Sequence, residues 1–198
     1  MARVAGIDGR LVRGTAIACG VAALAGLGIG IAVGQPVQPE DVQSARVLPV
    51  DLCSRLGDIS TLLPKATTAE LIQTGNGEVM CAVDVPERRQ PTFSGASLTI
   101  RITPYSGRQA GQGRSPFTPA ELAKQAFDRK PWLVVKDRPY LTKVDKHAGT
   151  GGQDSRVAVL VHRADLTVQV EYTAHPIELA TAQQAAQVMA DRAIWESK

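Results

Sequence analysis

The chain has 198 residues, 44% of them hydrophobic, and a formal net charge of +3. That length accommodates one globular domain plus extras, and so small a net charge gives no reason to expect a nucleic-acid partner. With the first 47 residues set aside, residues 48–198 are enough to bury roughly 70% of the surface their unfolded chain exposes.

Residues 14–34 read GTAIACGVAALAGLGIGIAVG, 21 residues without a charge or a proline. At 1.5 Å per residue they span about 30 Å, the thickness of a hydrocarbon core. Arg3, Arg10 and Arg13 precede them with Asp8 as the only acid. The excess of basic residues predicts a cytoplasmic tail over 1–13, a signal anchor crossing once over 14–34, and everything beyond on the outside of the cell membrane. The rival is a signal peptide cleaved at Ala32-Val33-Gly34, which would release a secreted protein. Its apolar region is longer than the 7–15 residues typical of such peptides, which favours the anchor. Cys19 sits before most of the apolar stretch, the wrong place for a lipoprotein cysteine. Gly26, Gly30 and Gly34 recur every four residues and share one helix face, a candidate homodimer contact because small residues let two backbones approach; glycine is also simply frequent in membrane helices.

Residues 35–47 are polar, contain two prolines and read as an extended linker. The outer domain is expected over 48–198. Asp51 is a candidate cap for a helix running to Leu63, with Leu52, Leu56, Ile59 and Leu63 as its stripe and Pro64 as its stop. Residues 78–85 alternate as a strand, and 96–103 more cleanly, with Leu98, Ile100 and Ile102 inward. Thr118, Pro119 and Glu121 form a capping box that opens a second helix to about Arg129. Residues 132–135 and 140–144 are shorter strands. Residues 156–162 and 166–173 form a hairpin about Ala164-Asp165. Residues 178–195 make an Ala-rich helix with Leu179, Ala182, Ala186, Met189 and Ala193 on one face. The expectation is an α+β domain, an antiparallel sheet of about five strands flanked by helices, preceded by one transmembrane helix.

Two cysteines lie outside the membrane segment, Cys53 and Cys81. In an oxidising compartment a lone pair of this kind predicts one disulfide, stapling the first helix to the sheet; two buried free thiols are the alternative. The residues Asp51-Leu52-Cys53-Ser54-Arg55-Leu56, then Leu62-Leu63-Pro64, Cys81 on a strand, and the 157–161 and 168–172 hairpin before an Ala-rich helix resemble a family of actinobacterial envelope lipoproteins whose domain has no assigned function. The resemblance covers about residues 48–197. It implies a structural cysteine pair, an antiparallel sheet flanked by helices and no established catalytic residues. This chain departs from the family in having no lipobox.

No catalytic constellation is visible. His147, His162 and His175 have no ligand spacing with each other or with cysteine, so neither metal nor cofactor is expected. Asp154-Ser155 near His147 could suggest a hydrolase, but such residues in a loop usually serve turn chemistry. Neither Gly-rich run, 107–113 or 149–152, has the form of a phosphate loop. One asymmetry remains: residues 101–146 carry 10 basic and 4 acidic residues, a balance of +6. Arg108, Arg114, Lys124, Arg129, Lys130, Lys136, Arg138, Lys143 and Lys146 are therefore candidate anion-binding residues, for a wall polymer or a lipid headgroup; a merely solvated surface is the simpler reading of such a run. The expected function is a membrane-anchored accessory or binding module of the cell envelope, not an enzyme, with the membrane, another envelope protein or a second copy as partner. A weak anion binder and an uncharacterised envelope enzyme are the alternatives.

Overall fold

Among the described residues seven strands form one antiparallel sheet, and the order in which they lie decides which surfaces are left open. In the computed structural model the described residues are 42, 48, 51–59, 62, 70–73, 77–85, 95–109, 112, 115–148 and 155–197. The chain divides into two compact units, 1–38 and 39–198. The first, with the segment 14–34 and its Gly26, Gly30 and Gly34 face, lies outside the described residues. Among the described residues no helix is long and apolar enough to cross a membrane.

The strands are β1 (Glu70–Gln73), β2 (Val79–Val85), β3 (Gly95–Pro104), β4 (Leu133–Val135), β5 (Leu141–Ala148), β6 (Ser155–Arg163) and β7 (Leu166–His175). The helices are α1 (Leu52–Arg55), α2 (Pro119–Asp128) and α3 (Leu179–Glu196). The strand order is β1-β2-β3-β7-β6-β5-β4. Seven strands stand where about five were expected, because β1 was not foreseen and both short runs around 132–144 are strands.

Alternation sorts the side chains onto two faces. Paired across the sheet, Cys81, Ile100, Val170, Val159 and Val144 make one apolar row. Helix α3 lies on this face against β6 and β7 and reaches β3 and β5. Its buried side is Ala182, Ala185, Ala186, Met189, Ala190, Ala193 and Ile194, mostly small residues that let the helix axis come close to the sheet. Tyr172 is the largest fully buried side chain, and burial pushes its phenol up. Its hydroxyl donates to the Leu62 carbonyl at 2.6 Å, which satisfies the one polar atom of an otherwise apolar group. Tyr172→Phe is expected to lower stability by about 1 kcal/mol, read as a drop of a few degrees in the thermal midpoint.

The first helix is shorter than its apolar stripe predicts. Leu52 and Leu56 are buried as expected, but α1 ends at Arg55 because Gly57 takes φ +74°, a left-handed conformation that terminates helices. Asp51 makes no side-chain cap. Its carboxylate instead accepts from Arg55 Nε at 2.6 Å, and that bond holds the Asp51 carboxyl below its usual range. The predicted capping box of α2 is present in full: Glu121 N donates to Thr118 Oγ1 at 3.3 Å and Thr118 N donates to Glu121 Oε2 at 2.8 Å. Cys53 and Cys81 are joined, with Cα atoms 5.6 Å apart, so α1 is stapled to β2.

Candidate functional site

Helix α2 lies on the other face of the sheet. Phe127, one of its two buried residues, meets His162 with ring centroids 5.9 Å apart. The C-terminus of α2 presents unpaired carbonyls, as every helix does. Lys143, only 8% exposed, donates to the carbonyls of Phe127, Asp128 and Lys130 at 2.9, 3.1 and 2.7 Å. Its ammonium has three donors, and all three are used. The lysine therefore seats α2 and has no donor left for an external anion, contrary to the expectation from charge alone.

Among the described residues, the remaining basic groups separate into those with internal partners and those without an ion pair. Lys124 pairs with Asp128 at 2.6 Å. Arg138 pairs with Asp191 of α3 at 2.6 Å, tying that helix to the turn between β4 and β5. Lys146 donates to Gln183 of α3 at 3.1 Å. Arg108 lies with its guanidinium 5.9 Å from the Phe117 ring centroid and pairs with that residue through the backbone. Arg114 lies outside the described residues. Arg129, Lys130 and Lys136 are exposed and bracket the strand β4, with the Lys130 ammonium 5.2 Å from the Trp132 ring centroid.

Between them lies an uncovered apolar edge that sequence reading missed. Leu133 pairs with Val144 and so continues the apolar row of the α3 face, but it is 68% exposed. On the other face Val134, paired with Lys143, is 65% exposed, and Leu141 is 50% exposed. Strand β4 is the end of the sheet, so its residues project past both helices. Trp195, 65% exposed, stands one helical turn beyond Asp191, on the side that faces Arg138. Arg163 completes that end, donating to the Ile194 carbonyl at 2.9 Å with its guanidinium 5.2 Å from the Tyr140 ring. Of the two tryptophans of the chain, Trp132 directly precedes β4 and Trp195 lies on the helix side that Arg138 meets. A strand edge with exposed aliphatic residues, a half-buried tryptophan and the flanking cations Arg129, Lys130 and Lys136 is suited to binding, since isolated apolar residues are ordinary on a surface but a contiguous group is not.

The hydrolase-like residues do not converge. Ser155 is 1% exposed, and its hydroxyl donates to the Ile177 carbonyl at 3.0 Å. Its strand partner is Ala148, while His147 pairs with Arg156, so His147 and Ser155 project from opposite faces. His147 contacts Asp145 at 3.0 Å, and Asp154 lies outside the described residues. Among the described residues no group of three metal-ligating side chains occurs. A shallow cleft of about 300 Å³ lies between the end of α1 and helix α3, with Leu62, Ala185 and Val188 beside Asp58, Thr181, Gln184 and Arg192. Arg192 spends a guanidinium donor on the Leu56 carbonyl at 3.0 Å.

His162 supplies a pH prediction. Its Nε2 is buried without a hydrogen-bond partner. Burial, the largest cause, pushes its pKa down with a small contribution from Lys124, against the opposing pull of the Ala164 and Ala120 backbone and, more weakly, of Asp128. The folded domain then binds this proton less readily than the unfolded chain. Stability is full above about pH 6.5, the unfolded value, and falls as the pH drops below it until the folded form is protonated too. Chemical denaturation from pH 8 to 5 should show this decline, and His162→Gln should flatten it. An unchanged slope would refute the assignment.

No protein-family model matches the chain, and no curated protein matches it. Among solved structures the chain is similar to the Zhui aromatase/cyclase from Streptomyces sp. R1128, at 10% identity with 78% of this chain and 84% of that chain covered and a TM-score of 0.18. A TM-score of that size transfers neither fold nor activity, so the β4 edge is judged on its own geometry.

Proposed function

We propose that the protein is a single-pass component of the cell envelope, held by residues 14–34 with residues 1–13 inside, and that the domain over 48–198 works outside as a binding module rather than as an enzyme. The observation that carries this reading is the Cys53–Cys81 bond. The only cysteines beyond the apolar segment are bonded to each other, and structural disulfides persist in oxidising compartments. An anchor with its basic flank inside delivers the domain to such a compartment. The apolar and basic β4 edge supplies a surface through which a module can act without catalytic groups.

Cell fractionation tests the reading. The full-length chain is expected in the carbonate-resistant membrane fraction, with its domain cut by protease added outside intact cells. A product lacking the first 34 residues and released into the medium would replace the anchor by secretion. Protection from external protease would overturn the topology.

A further inference from the structure

We propose that the β4 side of the domain docks on an anionic lipid surface, with Leu133, Val134 and Trp132 entering the interface and Arg129, Lys130 and Lys136 meeting the headgroups. This rests on the anchored reading, since the bilayer in question is the one that 14–34 would cross. The linker 35–47 is 13 residues long, and even fully extended it reaches only about 45 Å. A tethered edge therefore meets the lipid as an intramolecular event at high effective concentration.

The chemistry of the edge selects this occupant. Amphipathic tryptophan favours the headgroup level, where its ring is buried and its N–H stays wet. Flanking cations are attracted by anionic lipid over about one Debye length. Lys130 and Lys136 lie on either side of Leu133 and Val134 in the sequence, and both are exposed. A second copy is a poorer fit. Strand β4 has three residues, so edge-to-edge pairing would gain few backbone bonds while bringing two basic borders together. An acidic extended peptide would satisfy the charges, but it would leave the two-sided exposure of Leu133 and Val134 half used, because a strand edge pairs in the plane of the sheet.

The full chain offers its own reporter. It contains two tryptophans, and residues 14–34 contain no aromatic residue, so all tryptophan emission comes from Trp132 and Trp195. The chain is reconstituted into phosphatidylcholine vesicles and into vesicles of equal phosphatidylcholine and phosphatidylglycerol. Docking predicts emission at shorter wavelength, and quenching by brominated acyl chains, in the anionic vesicles only. Leu133→Ser with Val134→Ser should abolish both. Lys130→Glu with Lys136→Glu should weaken docking by about 30-fold or more, from about 1 kcal/mol for each charge near an anionic surface. All four side chains are exposed, so the variants should fold, which near-ultraviolet circular dichroism verifies. Val188→Ser, at the exposed apolar position on α3, should change nothing. Equal emission in both vesicles, with the chain still resistant to carbonate extraction, would overturn the docking and leave the anchor standing. Loss of the chain from the vesicles would overturn the anchor instead. A shift that ignores phosphatidylglycerol but grows with the protein-to-lipid ratio would assign the edge to a second copy and overturn the proposal.

Discussion

Removing the Cys53–Cys81 bond is expected to lower the stability of the domain by about 3–4 kcal/mol. The two residues are 28 positions apart, and closing a loop of that size removes about this much free energy from the unfolded ensemble in the chain-entropy model. The cost falls on a weak element. Helix α1 has four residues, far fewer than a helix needs to stand alone in water. Its attachment depends on Leu52 and Leu56, both buried, on the Arg192 bond to the Leu56 carbonyl and on the bridge. For a domain of this size the loss corresponds to roughly 10 °C in the thermal midpoint, and it is a substantial share of a total stability of about 5–15 kcal/mol. The double variant Cys53→Ala, Cys81→Ala measures it by urea denaturation. The slope against denaturant should rise as well, because the uncrosslinked chain exposes more surface on unfolding. Equal midpoints for the parent and the double variant would show that the bridge stabilises nothing.

Much of the fold was legible because local signals agreed with tertiary ones. Strand β3 and the β6–β7 hairpin show a period of two over seven or more residues, and α2 announces both its cap and its first turn. What failed was decided at a distance. The stripe Leu52, Leu56, Ile59 promises a longer helix, but Gly57 turns left-handed and the later residues follow a different path. Strand β1 is four residues long and has too little alternation to be seen; its pairing with β2 makes it a strand. The order of strands is the largest gap. Strand β3 pairs with β7, not with its neighbour in sequence β4, and no local pattern encodes that choice.

The candidate site was half legible for the same reason. Counting charges over 101–146 pointed to a segment in which Arg129, Lys130 and Lys136 are exposed and flank β4. The count could not tell those three from Lys124, Arg138 and Lys143, whose partners Asp128, Asp191 and the α2 carbonyls come from folding. Residues 132–135 read as a strand and are one, yet a strand pattern promises burial. Leu133 is exposed because β4 ends the sheet, so its exposure is a property of strand order. The signal available beforehand was the adjacency of a tryptophan and two aliphatic residues to Lys130 and Lys136, which marks a strand whose apolar face is bordered by solvated charge.

Lys143→Met is expected to cost about 2–4 kcal/mol and to loosen α2 before the rest of the domain. Methionine retains most of the aliphatic stem, so the change removes chiefly the ammonium. Three carbonyls then lose their donor, and a buried polar group without a partner costs about 1–3 kcal/mol. The attraction of a cation to the negative end of the helix is lost as well, together with its contact 4.8 Å from the Phe127 ring centroid. Against these losses stands a gain, because the native state no longer desolvates a charge. The net stays unfavourable because the ammonium in the native protein is fully coordinated by three carbonyls. Lys143→Arg should recover only part of the loss, since a planar fork cannot aim at three carbonyls that converge on one point. Amide exchange distinguishes a local from a global effect: α2 should exchange faster while β6 and β7 keep their protection. The Lys130 carbonyl is one of the three that Lys143 holds and Trp132 lies two residues beyond it, so the same variant should also disturb tryptophan emission below the global unfolding transition. Unaltered emission and exchange would mean that Phe127 and Ala123 alone seat the helix, and that the lysine's hydrogen bonds do no more than offset its own burial.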